Sequence, residues 1–479
     1  MTEPLDRLAQ RSIVIAGFGI EGRDVFRYLR ARFPDKELAV AEARPLEALD
    51  PEAQALLNGD PHVRLHVGLD HLSHLGDYEV CFRSPGIPLR GGALQAARAR
   101  DTELTSQTAL FLSLCGRRQR VIGVTGTKGK STTSALIHAM LSGHSREVHL
   151  VGNIGPHLGG ASPLLALEGA GAEALFVYEM SSFQLEGVDR SPNIAVLLDV
   201  VPEHLDHHGS LEAYLDAKEN ITRHQQSRDW LVYDAGSPRA MAIAGRSPAQ
   251  LMPCRVDAPV DRGCYVEEGY KIVFAAAFGR EDVLEVAEVL RVLPGRFNLR
   301  NVLPAVAVAR ILSLDNDAIL RGVRSFQPLR DRFENVGTFR GITFYNAAIA
   351  TVPEATVAHL TALAPRVATV ILGGVDRGVE YEGLARKILD DRVATLILFP
   401  ETGPRVWDEV VREAAARSRP RPRRVDVSDM QAAVREAYEL TPSGAICLHS
   451  PAAPSRGGLF KDYADRGAQF RDWVTRLAP

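Results

Sequence analysis

Arg120-Val-Ile-Gly-Val-Thr-Gly-Thr-Lys-Gly-Lys-Ser-Thr-Thr133 runs from an apolar strand through a glycine-bearing loop into a helix. Val121, Ile122 and Val124 read as a buried strand end, and residues 131–141 carry apolar side chains at helical spacing. Gly126 and Gly129 let the backbone turn with its N–H groups inward, while Lys130 and Ser131 open the helix where its dipole favours anions. That order of residue types predicts a cradle for a polyphosphate. A strict Walker A pattern would place glycine where Val124 stands, so the loop is a shortened variant. The competing reading is an ordinary strand-to-helix turn that contains glycine and lysine.

Working outward, a chain of 479 residues exceeds one core, and the usual domain size of about 150 residues suggests three domains. Lysines and arginines number 56 against 59 acids, for a net charge of -3, so no bulk field draws in nucleic acid or anionic lipid. Neither a nucleic acid nor a membrane partner is expected. The five cysteines (81, 115, 254, 264, 447) form no Cys-x-x-Cys pair and no zinc-ligand spacing, which fits a reducing cytoplasm. No signal peptide is expected, since the apolar run after Arg11 is short and broken by glycines. No apolar run approaches the roughly 20 residues that span a bilayer.

Upstream, residues 12–23 form a strand followed by Gly17-x-Gly19-x-x-Gly22, with a helix over 24–30. A second strand ends at Glu42, about 20 residues on, where a dinucleotide fold places its ribose-binding acid. Alone this suggests NAD, yet the same turn can hold any diphosphate at the start of a Rossmann-like unit. The turn Ser84-Pro85-Gly86 ends a further strand, and the charged patch 116–120 reads as a linker. Downstream, strands and helices alternate to about residue 327: strands over 174–179 and 194–199, helices over 211–225 and 299–311. A third strand–helix series follows from about residue 329, with strands at 342–345, 368–372, 394–399, 424–427 and 445–449. The basic tract 418–424 reads as a solvated loop. The fold class is therefore α/β, with domains expected over 1–117, 118–327 and 328–479.

Glu179 falls at the C-terminal end of a strand, and His204-Leu-Asp206-His-His208 follows another, so both reach the sheet edge where open α/β folds bind ligands. Carboxylate and imidazole groups near a phosphate loop suggest Mg²⁺ on nucleotide phosphates. The histidine run could equally be a polar surface loop. No serine elbow or Cys–His pair argues for a nucleophilic side chain.

VTGTKGKSTT at 124–133, GNIG at 152–155, YEMSSFQLE at 178–186, HLDHHGSLEAYLDAKENI at 204–221 and LPGRFNLRN at 293–301 together resemble the Mur ligases. The likeness covers nearly the whole chain. It implies an N-terminal Rossmann-like UDP domain, a central ATP-binding P-loop domain and a C-terminal Rossmann-like glutamate domain that closes over ATP. The expected reaction is ATP-dependent addition of D-glutamate to UDP-N-acetylmuramoyl-L-alanine through an acyl phosphate, by a cytoplasmic monomer serving peptidoglycan synthesis and hence cell shape and division. By matching positions, the resemblance puts Gly17 and Gly19 near the diphosphate, Glu42 and Arg44 near uracil, and Ser84, Gly86 and Asn153 on the diphosphate and sugar. Gly126, Thr127, Gly129, Lys130, Ser131 and Thr132 would hold the ATP phosphates, and Asn298, Asn301 and Arg332 the rest of the nucleotide. Ser131, Glu179, His204 and Lys218 would bind Mg²⁺, with Lys130, His204 and Lys218 the catalytic set. Lys218 is the position the family carbamylates; a solvated surface lysine is the bland alternative. Thr351, Arg377, Ser455 and Tyr463 would contact glutamate.

The chain also departs from the family. Where relatives read Asn-Asp-Ser-Lys-Ala-Thr, it reads Asn346-Ala-Ala-Ile-Ala-Thr351, losing an acid and a cation. Some relatives that keep the Asp-Ser pair but carry Ile for the lysine resemble L-glutamate ligases. Either a neighbour such as Arg377 replaces the cation, or nucleotide binding is weakened; an extra glycine in residues 455–460 alters the glutamate pocket. The alternatives are thus an L-glutamate-adding variant or a UDP-sugar-binding protein with little catalysis. Folylpolyglutamate synthase, a sister with the same loop, is disfavoured by the domain of about 115 residues ahead of Arg120.

Overall fold

Buried apolar runs such as Ile13–Ala16 and Leu38–Glu42 have no solvated face, which is how strands of a parallel sheet covered by helices on both sides read. A computed structural model describes residues 3–116, 119–143, 147–277, 279–455 and 458–478. It separates into two compact units, residues 1–288 with 299–326 and residues 289–298 with 327–479.

The first unit holds two sheets. Strands β1 (Ile13–Ala16), β2 (Leu38–Glu42), β3 (Val63–Val67), β4 (Val80–Arg83) and β5 (Glu103–Thr105) form a parallel sheet in the order β3-β2-β1-β4-β5. The order reverses beside β1, so the loops after β1 and β4 frame a crevice at its C-terminal edge. The second sheet contains β6 (Arg120–Thr125), β7 (Val148–Gly152), β8 (Leu175–Glu179), β9 (Ile194–Leu197), β10 (Trp230–Asp234), β11 (Gln250–Arg255), β12 (Gly263–Glu267), β13 (Lys271–Ala276) and β14 (Gly279–Glu285). Their order is β14-β13-β12-β11-β10-β9-β6-β8-β7. Register brings Val124, Gly152 and Glu179 level across β6, β7 and β8.

Strands β12 to β14 are antiparallel, where strict strand–helix alternation was expected. The turn between β12 and β13 has positive φ at Glu268 (49°) and Gly269 (79°), the geometry that matches the twist of a hairpin. Arg117 and Arg118, within the expected linker 116–120 and at the expected first domain boundary, lie outside the described residues.

The second unit holds β15 (Glu334–Phe339), β16 (Ile342–Asn346), β17 (Val367–Gly374), β18 (Thr395–Glu401), β19 (Arg423–Asp426) and β20 (Ile446–His449), ordered β15-β16-β20-β17-β18-β19. All pairs are parallel except β15 with β16, a hairpin turned by Arg340 and Gly341 at φ 51° and 78°. Among the described residues no helix is long and apolar enough to cross a membrane.

Candidate functional site

The loop after β6 leads into the helix Lys130–Ser142, whose N-cap Gly129 sits at φ 87°. A Cβ there would lie 2.2 Å from Asn301 Oδ1, so both conformation and space demand glycine. Gly126 is likewise closed in, against Leu198. The loop is fastened from outside: Thr127 donates its backbone N–H to Asp199 O at 2.8 Å, and its hydroxyl meets Val201 O at 3.0 Å and Tyr214 OH at 2.8 Å. The Thr127 side chain therefore shapes the cradle. Lys130 Nζ donates to the Gly126 and Thr127 carbonyls at 3.1 and 3.0 Å. Ser131 is buried, Thr132 is half-buried, and Asn301 lies against Gly129 on the helix Leu299–Ile311.

Glu179 is 1% exposed at the end of β8. Its Oε1 accepts from Asn153 Nδ2 at 2.9 Å, while Oε2 is buried without a hydrogen-bond partner. An orphaned buried carboxylate oxygen is costly, and a hard divalent cation with oxygen ligands would satisfy it. Asn153, expected on the sugar diphosphate, spends its side-chain amide on orienting this carboxylate.

Lys218, on the helix Leu211–Arg223, is 1% exposed, which removes the surface-lysine reading. Its Nζ donates to Gly126 O at 2.8 Å and Thr125 Oγ1 at 3.4 Å and lies 4.9 Å from the centre of the Tyr214 ring. Burial, reinforced by the charge of Lys130 and opposed by Glu203, pushes its ammonium well below the ordinary lysine value. His204 caps the next short helix at φ 56° and faces the Phe183 ring at 4.8 Å. Burial lowers its imidazole, with Glu203 opposing and Lys130 and Lys218 within electrostatic reach. The loop, Glu179, His204 and Lys218 thus gather at the C-terminal edge of one sheet. Tyr214, which ties Thr127 to Lys218, carries no motif that would have marked it.

The N-terminal set gathers at the edge of its own sheet. Gly17 (φ 85°) donates to Ala41 O at 2.7 Å and accepts from Ser84 Oγ at 2.8 Å. A Cβ on Gly22 would lie 2.1 Å from Gly17 O, so that glycine serves the turn itself. A Cβ added at Gly19 or Gly86 would meet nothing within 4 Å, which leaves room for a ligand. The Glu42 carboxylate accepts from Phe18 N at 2.9 Å and Arg44 Nε at 3.0 Å, bracing the loop. Behind the loop, Glu21 accepts from Gln184 Nε2 at 2.6 Å, and burial pushes its carboxyl up to about 7 against the influence of that bond and of Arg83.

In the second unit, Asp331 and Phe333 bracket Arg332 at φ 65° and 61°, and Arg332 Nε is buried without a partner. Two strained non-glycine residues around a cation mark a loop held by its surroundings: Phe333 stacks on His359 at 4.4 Å, and Asp331 bonds Asn346 and Arg471. Asn298 donates to Pro294 O at 2.9 Å. In the altered segment the three departing positions are apolar, and Ala347 and Ala348 are 0% exposed. Arg466 donates to the Ala348 and Ala453 carbonyls at 2.7 and 3.1 Å. Thr351 precedes the helix Pro353–Leu363, Ser455 is buried and Tyr463 begins the last helix. Arg377 is exposed and pairs with no carboxylate among the described residues, whereas Asp376 pairs with Arg405. Arg456 and Gly457, in the segment with the extra glycine, lie outside the described residues.

Residues 124–309 match the Mur ligase middle domain and residues 331–453 the Mur ligase, glutamate ligase domain. The chain belongs to the Mur ligase family. It is 35% identical to UDP-N-acetylmuramoylalanine–D-glutamate ligase of Symbiobacterium thermophilum, over 98% of this chain and 99% of that one. It is also 34% identical to UDP-N-acetylmuramoyl-L-alanine–L-glutamate ligase of a Micromonospora species, over 99% and 98%. The MurF ligase of Thermotoga maritima, solved in complex with ADP, superimposes with a TM-score of 0.58 over 99% of both chains at 16% identity.

Proposed function

We propose that this protein joins D-glutamate to the alanine carboxylate of UDP-N-acetylmuramoyl-L-alanine at the expense of ATP. The observation that carries the reading is the convergence of a glycine-locked phosphate loop, a buried lysine and a carboxylate with one unsatisfied oxygen. A carboxylate does not react with an amine at neutral pH because its oxygen is a poor leaving group. Transfer of the γ-phosphoryl group to that oxygen gives an acyl phosphate and ADP. The glutamate amine then attacks the carbonyl carbon, the C–O bond breaks, and phosphate leaves with the amide formed.

In this chain the loop amides and the helix N-terminus hold the triphosphate, and Lys130 turns from the Gly126 and Thr127 carbonyls to the transferring group. Ser131, Glu179, His204 and Lys218 would hold Mg²⁺, which would supply positive charge against the phosphates during phosphoryl transfer. Lys218 serves as its carbamate: a buried amine that prefers to be neutral can attack CO₂, losing a proton and gaining a carboxylate suited to a hard cation. We assign the three domains to 1–117 for UDP, 118–327 for ATP and 328–479 for glutamate. Asn298, Asn301 and Arg332 take the rest of the nucleotide, and Thr351, Arg377, Ser455 and Tyr463 the amino acid. The protein acts as a cytoplasmic monomer.

Ile349, in a segment without the family's acid and cation, favours a second reading in which L-glutamate is the substrate. Purified protein given the nucleotide sugar, ATP, Mg²⁺ and each glutamate enantiomer in turn is expected to release phosphate with D-glutamate. Release with L-glutamate alone transfers the assignment to the second reading, and release with neither refutes both.

A further inference from the structure

Behind the Mg²⁺ ligands proposed above lies a second group of metal-ligating side chains that the ligase reaction leaves unused. Glu186 caps the short helix Ser182–Leu185, and His207 and His208 end the short helix Leu205–His208. One ligand atom from each lies within 4.8 Å of the others, the single such group among the described residues. His207 Nε2 is 3.5 Å from Glu186 Oε2, and His208 Nδ1 is 3.8 Å from Glu186 Oε1.

Both imidazole nitrogens are buried and have no hydrogen-bond partner. The opposite nitrogen of His208, Nε2, lies 3.0 Å from Ser182 Oγ. With that hydroxyl accepting, Nε2 carries the proton and Nδ1 turns its lone pair toward Glu186. The carboxylate is held in place by Leu89 N at 3.2 Å and Arg83 Nη1 at 3.2 Å, both on Oε2. Oε1 is left to face His208. Phe183 fixes the rings, 4.3 Å from His207 and 5.4 Å from His208 between ring centres. Unsatisfied buried lone pairs are costly, and two of them beside a buttressed carboxylate form an incomplete coordination shell.

We propose that Glu186, His207 and His208 bind a transition-metal dication of the zinc type, separate from the Mg²⁺ of the ATP site. Two imidazoles and a carboxylate suit Zn²⁺ rather than Mg²⁺, which prefers oxygen throughout. Tetrahedral coordination brings ligand atoms to roughly 3.3 Å from one another, so the group, whose ligand atoms lie within 4.8 Å of one another, closes by about 1.5 Å or less at each pair. Glu186 and His208 also line a cleft of about 440 Å³ with Leu89, Arg90 and Asp216, which offers water and a route in. The bound ion staples the end of the SFQLE segment to the turn that carries His204. Its role is to fix the position of His204 and Phe183.

The test uses full-length protein freed of metal with a chelator and titrated with Zn²⁺ against a chromogenic competitor, and with Co²⁺ by its visible spectrum. Wild type and Glu179→Gln, which disables the ATP-site metal ligand, are both expected to bind one Zn²⁺ and to give the intense absorption of tetrahedral Co²⁺. His207→Asn and Glu186→Gln are expected to weaken binding about a hundredfold, and Ser182→Ala about tenfold by freeing the His208 tautomer. Zn²⁺ should raise the melting temperature of wild type and not that of His207→Asn, whose side chain keeps some exposure where that of His208 keeps none. Equal Zn²⁺ affinity in wild type and His207→Asn overturns the proposal. So does loss of binding in Glu179→Gln with retention in His207→Asn, which would place the ion at the ATP site.

Discussion

The Nζ of Lys218 donates to the carbonyl oxygen of Gly126 at 2.8 Å, so the buried lysine and the phosphate loop are directly bonded. Loop geometry and the state of that amine are therefore coupled. Lys218→Ala is expected to reduce turnover at least about a hundredfold, and added bicarbonate should not restore it. Near-normal turnover would remove Lys218 from the reaction. A second measurement concerns stability. Because burial lowers the folded-state value below that of the unfolded chain, folding displaces a proton and wild type loses stability as pH falls from the ordinary lysine range. In CO₂-free buffer Lys218→Met should melt above wild type, with the gap wider near neutral than at alkaline pH.

Glu179→Gln should separate catalysis from stability. The substitution removes a buried charge whose Oε2 has no partner, so the melting temperature is expected to hold or rise. Mg²⁺-dependent ATP binding should weaken by about tenfold or more in calorimetry. Unchanged ATP affinity in the presence of Mg²⁺ would show that this carboxylate does not serve the nucleotide metal.

Two glycines should respond in opposite ways. Gly129→Ala forces a side chain into φ 87° and against Asn301, and should cost about 1–3 kcal/mol in denaturant melts. Gly19 has φ −74° with open space around it, so Gly19→Ala should leave the melt unchanged and weaken binding of the UDP-sugar. If Gly19→Ala binds the nucleotide sugar normally, that loop is not its site.

Glu21 predicts a pH dependence of stability. Its carboxyl is raised from 4.5 to about 7, so the folded protein keeps a proton that the unfolded chain releases. The contribution is complete below the unfolded value and is lost as pH rises through about 7. Glu21→Gln should flatten this decline, and thermal melts from about pH 5 to pH 8 check it. Parallel profiles for the two proteins would mean that Glu21 titrates normally.

Arg377 is the exposed cation assigned to the role of the family's missing lysine. Arg377→Ala is expected to raise KM for glutamate about tenfold, the worth of one charged hydrogen bond, with kcat nearly unchanged. An unaltered KM would leave the cation to be sought elsewhere in the C-terminal unit.

Much of this architecture was legible from spacing alone. The helix Leu299–Ile311 falls at the residues its apolar period marks, and β8 and β9 end where Glu179 and the His204 turn require. Strands β12 to β14 were harder to place, because β12 and β13 are short apolar runs without alternation, β14 is largely polar, and only the Glu268–Gly269 turn signals a hairpin. The roles of Tyr214 and Asn153 escaped for another reason. Tyr214 meets Thr127 across 87 positions, and Asn153 meets Glu179 across 26, so each acts through a partner that only the folded sheet brings near. Lys218 could be placed on a helix by periodicity, yet its near-complete burial depends on the tertiary packing of that helix.

Lys130 already satisfies two carbonyls of its own loop before any nucleotide arrives. Docking a triphosphate is then an exchange of partners, in which neutral acceptors give way to anionic ones and only the difference between them adds to affinity. Such a cradle resists collapse between turnovers and lets the spent diphosphate go more readily than an unattached ammonium would.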